Sequence, residues 1–73
     1  MKIFINENLD YLRRAKNMTQ VQVCKFMGWK STKSYHEYIS KDNPTMPSVE
    51  TAAKFSRCFD VSLDDLVFKD LTK

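Results

Sequence analysis

Lys33, His36, Glu37 and Ser40 stand three, four and seven residues apart, the interval at which side chains share one face of an α-helix. Together they offer an ammonium donor, an imidazole, a carboxylate acceptor and a hydroxyl that works either way. Such a set recognises donors and acceptors on a surface and lacks the pairings that make or break bonds. The chain pairs no nucleophile with a base, and its one glycine, Gly28, cannot build a phosphate-cradling loop. Neither Cys24 nor Cys58 has a second Cys or His nearby in sequence for a zinc quartet, and His36 is a lone histidine. Asp64 and Asp65 follow Ser62 as first-turn acids of a helix, not as metal ligands. The expectation is a non-enzyme with no cofactor and no metal.

Charge divides along the chain. Residues 1–41 carry eight Lys/Arg against three Asp/Glu, net +5, whereas residues 42–73 carry four against six, net −2. A basic half of this kind suits a polyanion, although an ordinary solvated surface has the same signature. The longest apolar runs, Ile3-Phe4-Ile5 and Leu66-Val67-Phe68, fall far short of the roughly 20 residues that span a bilayer. Ile3-Phe4-Ile5 breaks at Asn6-Glu7-Asn8, so no secretory leader is expected and a cytoplasmic location is.

The elements that must hold these side chains follow from size and periodicity. A chain of 73 residues makes one small domain, here 1–73, and two cysteines cannot staple it as secreted mini-domains are stapled. Few turn residues argue for helices. Helices are expected near 7–16, 20–27, 32–40, 49–59 and 63–68. Asn6 is read as the first N-cap, with Leu9 and Leu12 inward and Asn17 as a left-handed stop. Thr19 caps the second helix, which buries Val23, Cys24 and Met27 and ends at Gly28. Ser31 or Thr32 caps the third, with Tyr35, Tyr38 and Ile39 inward. Asp42-Asn43-Pro44 and Pro47 form the one long loop. Ser48 caps the fourth, whose stripe is Val49, Ala52, Ala53 and Phe59 with Phe55 at its edge, and Asp60 stops it. Ser62 caps the fifth, carrying Leu63, Leu66 and Val67. Residues 69–73 are expected to fray. Ile3-Phe4-Ile5 is either a strand for another chain or a staple over the first helix.

Asn8-Leu9, Leu12-Arg13, Met18-Thr19-Gln20, Val23-Cys24 and Met27-Gly28, followed by Pro47–Thr51 and Phe59–Leu66, resemble the helix-turn-helix DNA-binding domains of the phage repressor and Cro type. The resemblance covers roughly residues 8–68 and implies an all-α, five-helix, lambda-repressor-like bundle. One extra residue after Gly28 is needed to turn Tyr35 and Tyr38 inward; without it Ser34 and Glu37 would point into the core, where an unpaired Glu is costly. The resemblance implies that the third helix enters the major groove, with Lys33, His36, Glu37 and Ser40 against bases. Gln20, Lys30, Ser31, Thr32 and Lys41 are then the phosphate contacts. It further implies a double-stranded DNA operator as partner and a regulator of a temperate-phage or mobile-element switch in a bacterial host; a single domain this small grips DNA over a limited area, so either a homodimer on a two-fold site or a heteromeric complex would supply the affinity.

Glu37 fits this picture least, since it repels phosphate and accepts only from cytosine. Val21 and Phe26 lie more than 100° from the buried face of the second helix, and with Trp29 and Met46 they are candidates for a protein-binding patch. Hence the competing reading, a modulator or antirepressor that captures a partner repressor through the same fold. Trp29 also reads as a seal over the turn after Gly28, and Cys24 as a packed, unreactive thiol.

Overall fold

Three of the helices in this chain stop in the same way. The computed structural model describes residues 2–73, and the helices are α1 Ile5–Ala15, α2 Gln20–Met27, α3 Lys33–Ile39, α4 Val49–Phe59 and α5 Leu63–Phe68. After α1, α2 and α4 the chain turns left-handed at Asn17 (φ 57), Gly28 (φ 82) and Asp60 (φ 55). In each case the residue that follows it donates back to a carbonyl of the last turn: Met18 to Arg13, Trp29 to Cys24 and Val61 to Ser56. This paired closure satisfies carbonyls that a helix end leaves orphaned. Among the described residues there is no strand, and the fold is the expected all-α bundle of five helices.

Asp60 is the least suited of the three stop residues, because its Cβ is strained at positive φ and its charge faces the negative end of α4. Asp60→Gly is therefore expected to stabilise the domain by about 0.5–1 kcal/mol. A thermal melt should rise by several degrees. Gly28→Ala should do the reverse. A Cβ there meets nothing within 4 Å, so its cost is the strained φ alone.

Helix starts divide into those decided locally and those decided from afar. Thr19, Ser48 and Ser62 each accept from the backbone N–H three residues on, and at Thr19 the Gln22 side chain returns the bond to complete a capping box. Asn6 does not cap α1. The helix begins at Ile5, which is buried, and Phe4 precedes it, its N–H anchored on the Val67 carbonyl at 2.7 Å. Asn6 instead donates across the domain to the carbonyls of Tyr38 (2.8 Å) and Thr45 (3.0 Å). Thr32 precedes α3 in a helical conformation, so its hydroxyl makes no cap; Ser31 Oγ accepts weakly from the Lys33 N–H at 3.4 Å.

The core gathers Ile5, Leu9, Leu12, Val23, Cys24, Met27, Tyr35, Ala52, Phe55, Phe59 and Leu66. Phe55 is fully buried at its centre rather than at the edge of the α4 stripe, whereas Val49 is 79% exposed and Ala53 only half-buried. The true stripe, Ala52-Phe55-Phe59, is rotated from the expected one because α4 packs against both α2 and α5. Residues 69–73 do not fray. Asn8, wholly buried, donates to the carbonyls of Leu66 (2.8 Å) and Lys69 (2.7 Å) and accepts from the Leu71 N–H (3.0 Å), and Leu71 packs on the core. Ile3-Phe4-Ile5 forms no strand; it runs into α1 along α5.

Candidate nucleic-acid interface

α3 is a seven-residue helix, too short to be stable alone, so its polar face exists only because the domain clamps the opposite face. Tyr35 is fully buried and donates its hydroxyl to Asp10 Oδ1 at 3.2 Å. Burial raises the Tyr35 phenol above its ordinary range, with the Asp10 charge adding to the effect, so it stays a neutral donor. Asp10 also holds Arg13 at 3.1 Å and Arg14 at 3.0 Å, and Arg13 Nη1 donates to the Met18 carbonyl at 2.9 Å. One carboxylate thereby ties α1, the turn before α2 and the middle of α3 together.

The far end of α3 rests on aromatic rings. Trp29 stacks on Tyr38 with centroids 5.7 Å apart, and Phe55 meets both edge-on at 5.8 Å. Such pairs each contribute about 0.5–1.5 kcal/mol beyond burial. Asn6 secures the Tyr38 carbonyl, and the Thr45 N–H donates to the Glu37 carbonyl at 2.9 Å, folding the long loop back on the helix. The register is the one that places Tyr35 and Tyr38 inward and Glu37 outward.

On the outer face Lys33, His36, Glu37 and Ser40 are all exposed. His36 Nε2 is hydrogen-bonded to Gln20 Oε1, linking the first residue of α2 to the middle of α3. Ser40 is differently occupied: its hydroxyl donates to the Asp42 carbonyl (2.9 Å) and accepts from the Asp42 N–H (3.2 Å), shaping the turn after α3. It retains one acceptor site for any other partner. Lys30, Ser31 and Lys41 are exposed and Thr32 half-buried, flanking α3 at both ends. The start of α2, whose first N–H groups have no intrahelical partner, opens beside Gln20 and suits an anion.

The four apolar candidates occupy three settings. Val21 and Phe26 are exposed on α2, at 53% and 54%. Trp29 is packed into the aromatic cluster beneath α3. Met46 lines a separate groove with residues of the amino-terminal segment, α4 and α5. Cys24 and Cys58 are free, and burial raises both thiols above their usual range, which disfavours the thiolate. No cluster of His, Cys, Asp or Glu among the described residues could hold a metal, and no helix is long and apolar enough to cross a membrane.

Sequence reasoning gave Asn6 only a capping role and gave Asp10 and Asn8 none; Asn6 and Asp10 position α3 without touching its outer face, while Asn8 ties α1 to the end of α5. Asp10 had a visible signal, an acid three and four residues before Arg13 and Arg14. The two asparagines had none, because their partners lie more than 30 residues away.

No curated protein and no solved structure matches the chain. A family model described as helix-turn-helix matches residues 9–66. That stretch takes in α2, the turn at Gly28 and α3, together with most of α1, all of α4 and the part of α5 that packs beneath them. The match covers well over half of the chain, and the chain belongs to the helix-turn-helix family of DNA-binding regulator domains.

Proposed function

We propose that this domain acts as a Cro-like transcription regulator of a phage or mobile-element switch, presenting α3 to the major groove of a double-stranded operator. The observation that carries the reading is the exposed face of Lys33, His36 and Glu37, joined to the start of α2 through the Gln20–His36 hydrogen bond. In that arrangement Lys33, His36 and Glu37 contact base edges, with the remaining acceptor of Ser40 beside them. Gln20, Lys30, Ser31, Thr32 and Lys41 fix the register on phosphates. The basic first half of the chain, net +5 over residues 1–41, supports this orientation.

The test is fluorescence anisotropy on DNA tiling the promoters beside the gene, at several salt concentrations. Tight, fragment-specific and salt-dependent binding is expected. Lys33→Ala should cost about 1–3 kcal/mol on the operator and relax base preference at one position. Lys30→Ala should weaken cognate and scrambled DNA alike and reduce the salt slope by about one. Equal losses on both DNAs for both variants would overturn this assignment of roles.

A second reading has its own support: Glu37 sits in the reading face, and Val21 and Phe26 are exposed on the neighbouring helix. An antirepressor would bind DNA weakly and capture a repressor protein through that surface. A complex with the neighbouring repressor that Val21→Lys and Phe26→Ser both leave intact would exclude the surface.

A further inference from the structure

His36 is the only histidine in the chain, and its two ring nitrogens have different surroundings. Nε2 is hydrogen-bonded to Gln20 Oε1, whereas Nδ1 has no partner among the described residues, on a side chain that is itself exposed. An amide oxygen only accepts, so the shared hydrogen belongs to Nε2, and the neutral imidazole then carries its lone pair at Nδ1. Gln20 is placed to enforce this. It is half-buried and is the first residue of α2, whose start is fixed by the Thr19–Gln22 capping box. With Oε1 turned to the ring, its amide hydrogens stay free for a phosphate.

The charged groups around the ring belong to its own helix. Glu37, the next residue, is a second acceptor on the exposed face, and Lys33, one turn earlier, is a donor. α2 carries one charge, Lys25 in its last turn, and no acid in its first. From α1, Asp10 and Arg13 gather at Tyr35 on the buried side of α3, and Glu7 borders a hollow with Ile39, Ser40 and Lys41.

Adenine N6 and cytosine N4 are the hydrogen-bond donors of the major groove, while guanine and thymine present acceptors only. We propose that the Gln20–His36 pair sets base preference through the tautomer: at neutral pH Nδ1 accepts from adenine or cytosine on the strand it faces, and protonation of the ring turns the preference to guanine. The inference rests on the reading of α3 as the operator-contacting helix and names what that helix selects. Gln20 is the positioning residue, acting through His36. Glu37 then has a use in the same face, since it seeks the same amino-bearing bases.

The experiment selects binders of the full chain from a pool of randomised duplexes at about pH 7.5 and about pH 5.5, on either side of the ordinary histidine range. The position that His36→Ala makes indifferent should favour adenine or cytosine about five- to tenfold at the higher pH and guanine at the lower. Gln20→Leu should bring the neutral-pH ratio close to one. Gln20→Glu keeps an acceptor for Nε2 and adds a charge that favours the protonated ring, so it should retain the ratio and carry the crossover to higher pH. A change in phosphate attraction raises or lowers all sequences alike and leaves a ratio of bases at one position unmoved. In the protein without DNA, imidazole nitrogen NMR at neutral pH should show the hydrogen on Nε2. A selected motif in which His36→Ala relaxes no position, a relaxed position that keeps its base at both pH values, or a hydrogen predominantly on Nδ1 overturns the proposal and leaves the operator reading in place. A pool that yields no motif overturns the operator reading itself, and this inference with it.

Discussion

Asn8→Ala is expected to leave much of the protein unfolded at 37 °C. The Asn8 side chain is fully buried and makes three hydrogen bonds, two donated to the carbonyls of Leu66 and Lys69 and one accepted from the Leu71 N–H. Alanine removes all three at once and strands two carbonyls and an amide in a place where water enters poorly. Each stranded group costs about 1–3 kcal/mol, and the methyl fills little of the space left. A total of about 3–5 kcal/mol compares with the few that a core of this size leaves in reserve. Urea denaturation should show a midpoint near zero denaturant. Asn8→Asp separates shape from hydrogen bonding, since it keeps the outline and the acceptor for Leu71 but turns lone pairs toward two carbonyl oxygens. It too should destabilise at neutral pH. Its carboxyl is raised above the unfolded value by burial and by those oxygens, so its penalty should shrink as pH falls through the raised value. A destabilisation by Asn8→Asp that stays flat with pH would contradict this account.

The second large effect is expected at Phe55, which is wholly buried and touches Trp29, Tyr38 and Phe59 with ring centroids 5.8, 5.8 and 6.2 Å away. Phe55→Ala should cost about 3–5 kcal/mol, the lost burial plus the cavity that the surrounding helices cannot close. The consequence reaches function, because these rings are the floor under the carboxyl-terminal half of α3. Trp29 is the only tryptophan, so its emission reports that floor directly. A shift of Trp29 emission to the red in the folded fraction, with weakened DNA binding, is expected for Phe55→Ala. Phe55→Leu, which keeps most of the volume, should cost about 1 kcal/mol and leave the emission close to wild type. A loss for Phe55→Leu as large as that for Phe55→Ala would show that the ring contacts, not the filled volume, hold this floor together.

Both sites were poorly visible in the sequence, for different reasons. Asn8 stands in a helix with nothing local to mark it, and its partners are 58 to 63 residues away. Phe55 was visible as apolar, but periodicity defines a stripe about 100° wide and does not say which residue lies at its centre. The packing of α4 against both α2 and α5 turned the helix so that Phe55 went in and Val49 came out. The candidate interface divides in the same way. The polar face of α3 follows from the position of Tyr35, whereas the Gln20–His36 bond and the use of Ser40 on Asp42 depend on where two elements meet.

By itself the sequence determined the helical class, the extents of α2, α4 and α5, and the stops at Asn17, Gly28 and Asp60. These rest on interactions three or four residues long, so a capping hydroxyl or a left-handed residue carries its own instruction. Tertiary structure alone decided where α1 begins, what Asn6 and Asn8 bind, that residues 69–73 are held down, and that Met46 and Val49 share a groove. Each of those depends on groups distant in the chain whose mutual burial outweighs the local preference, and burial is known only once all five helices have taken their places.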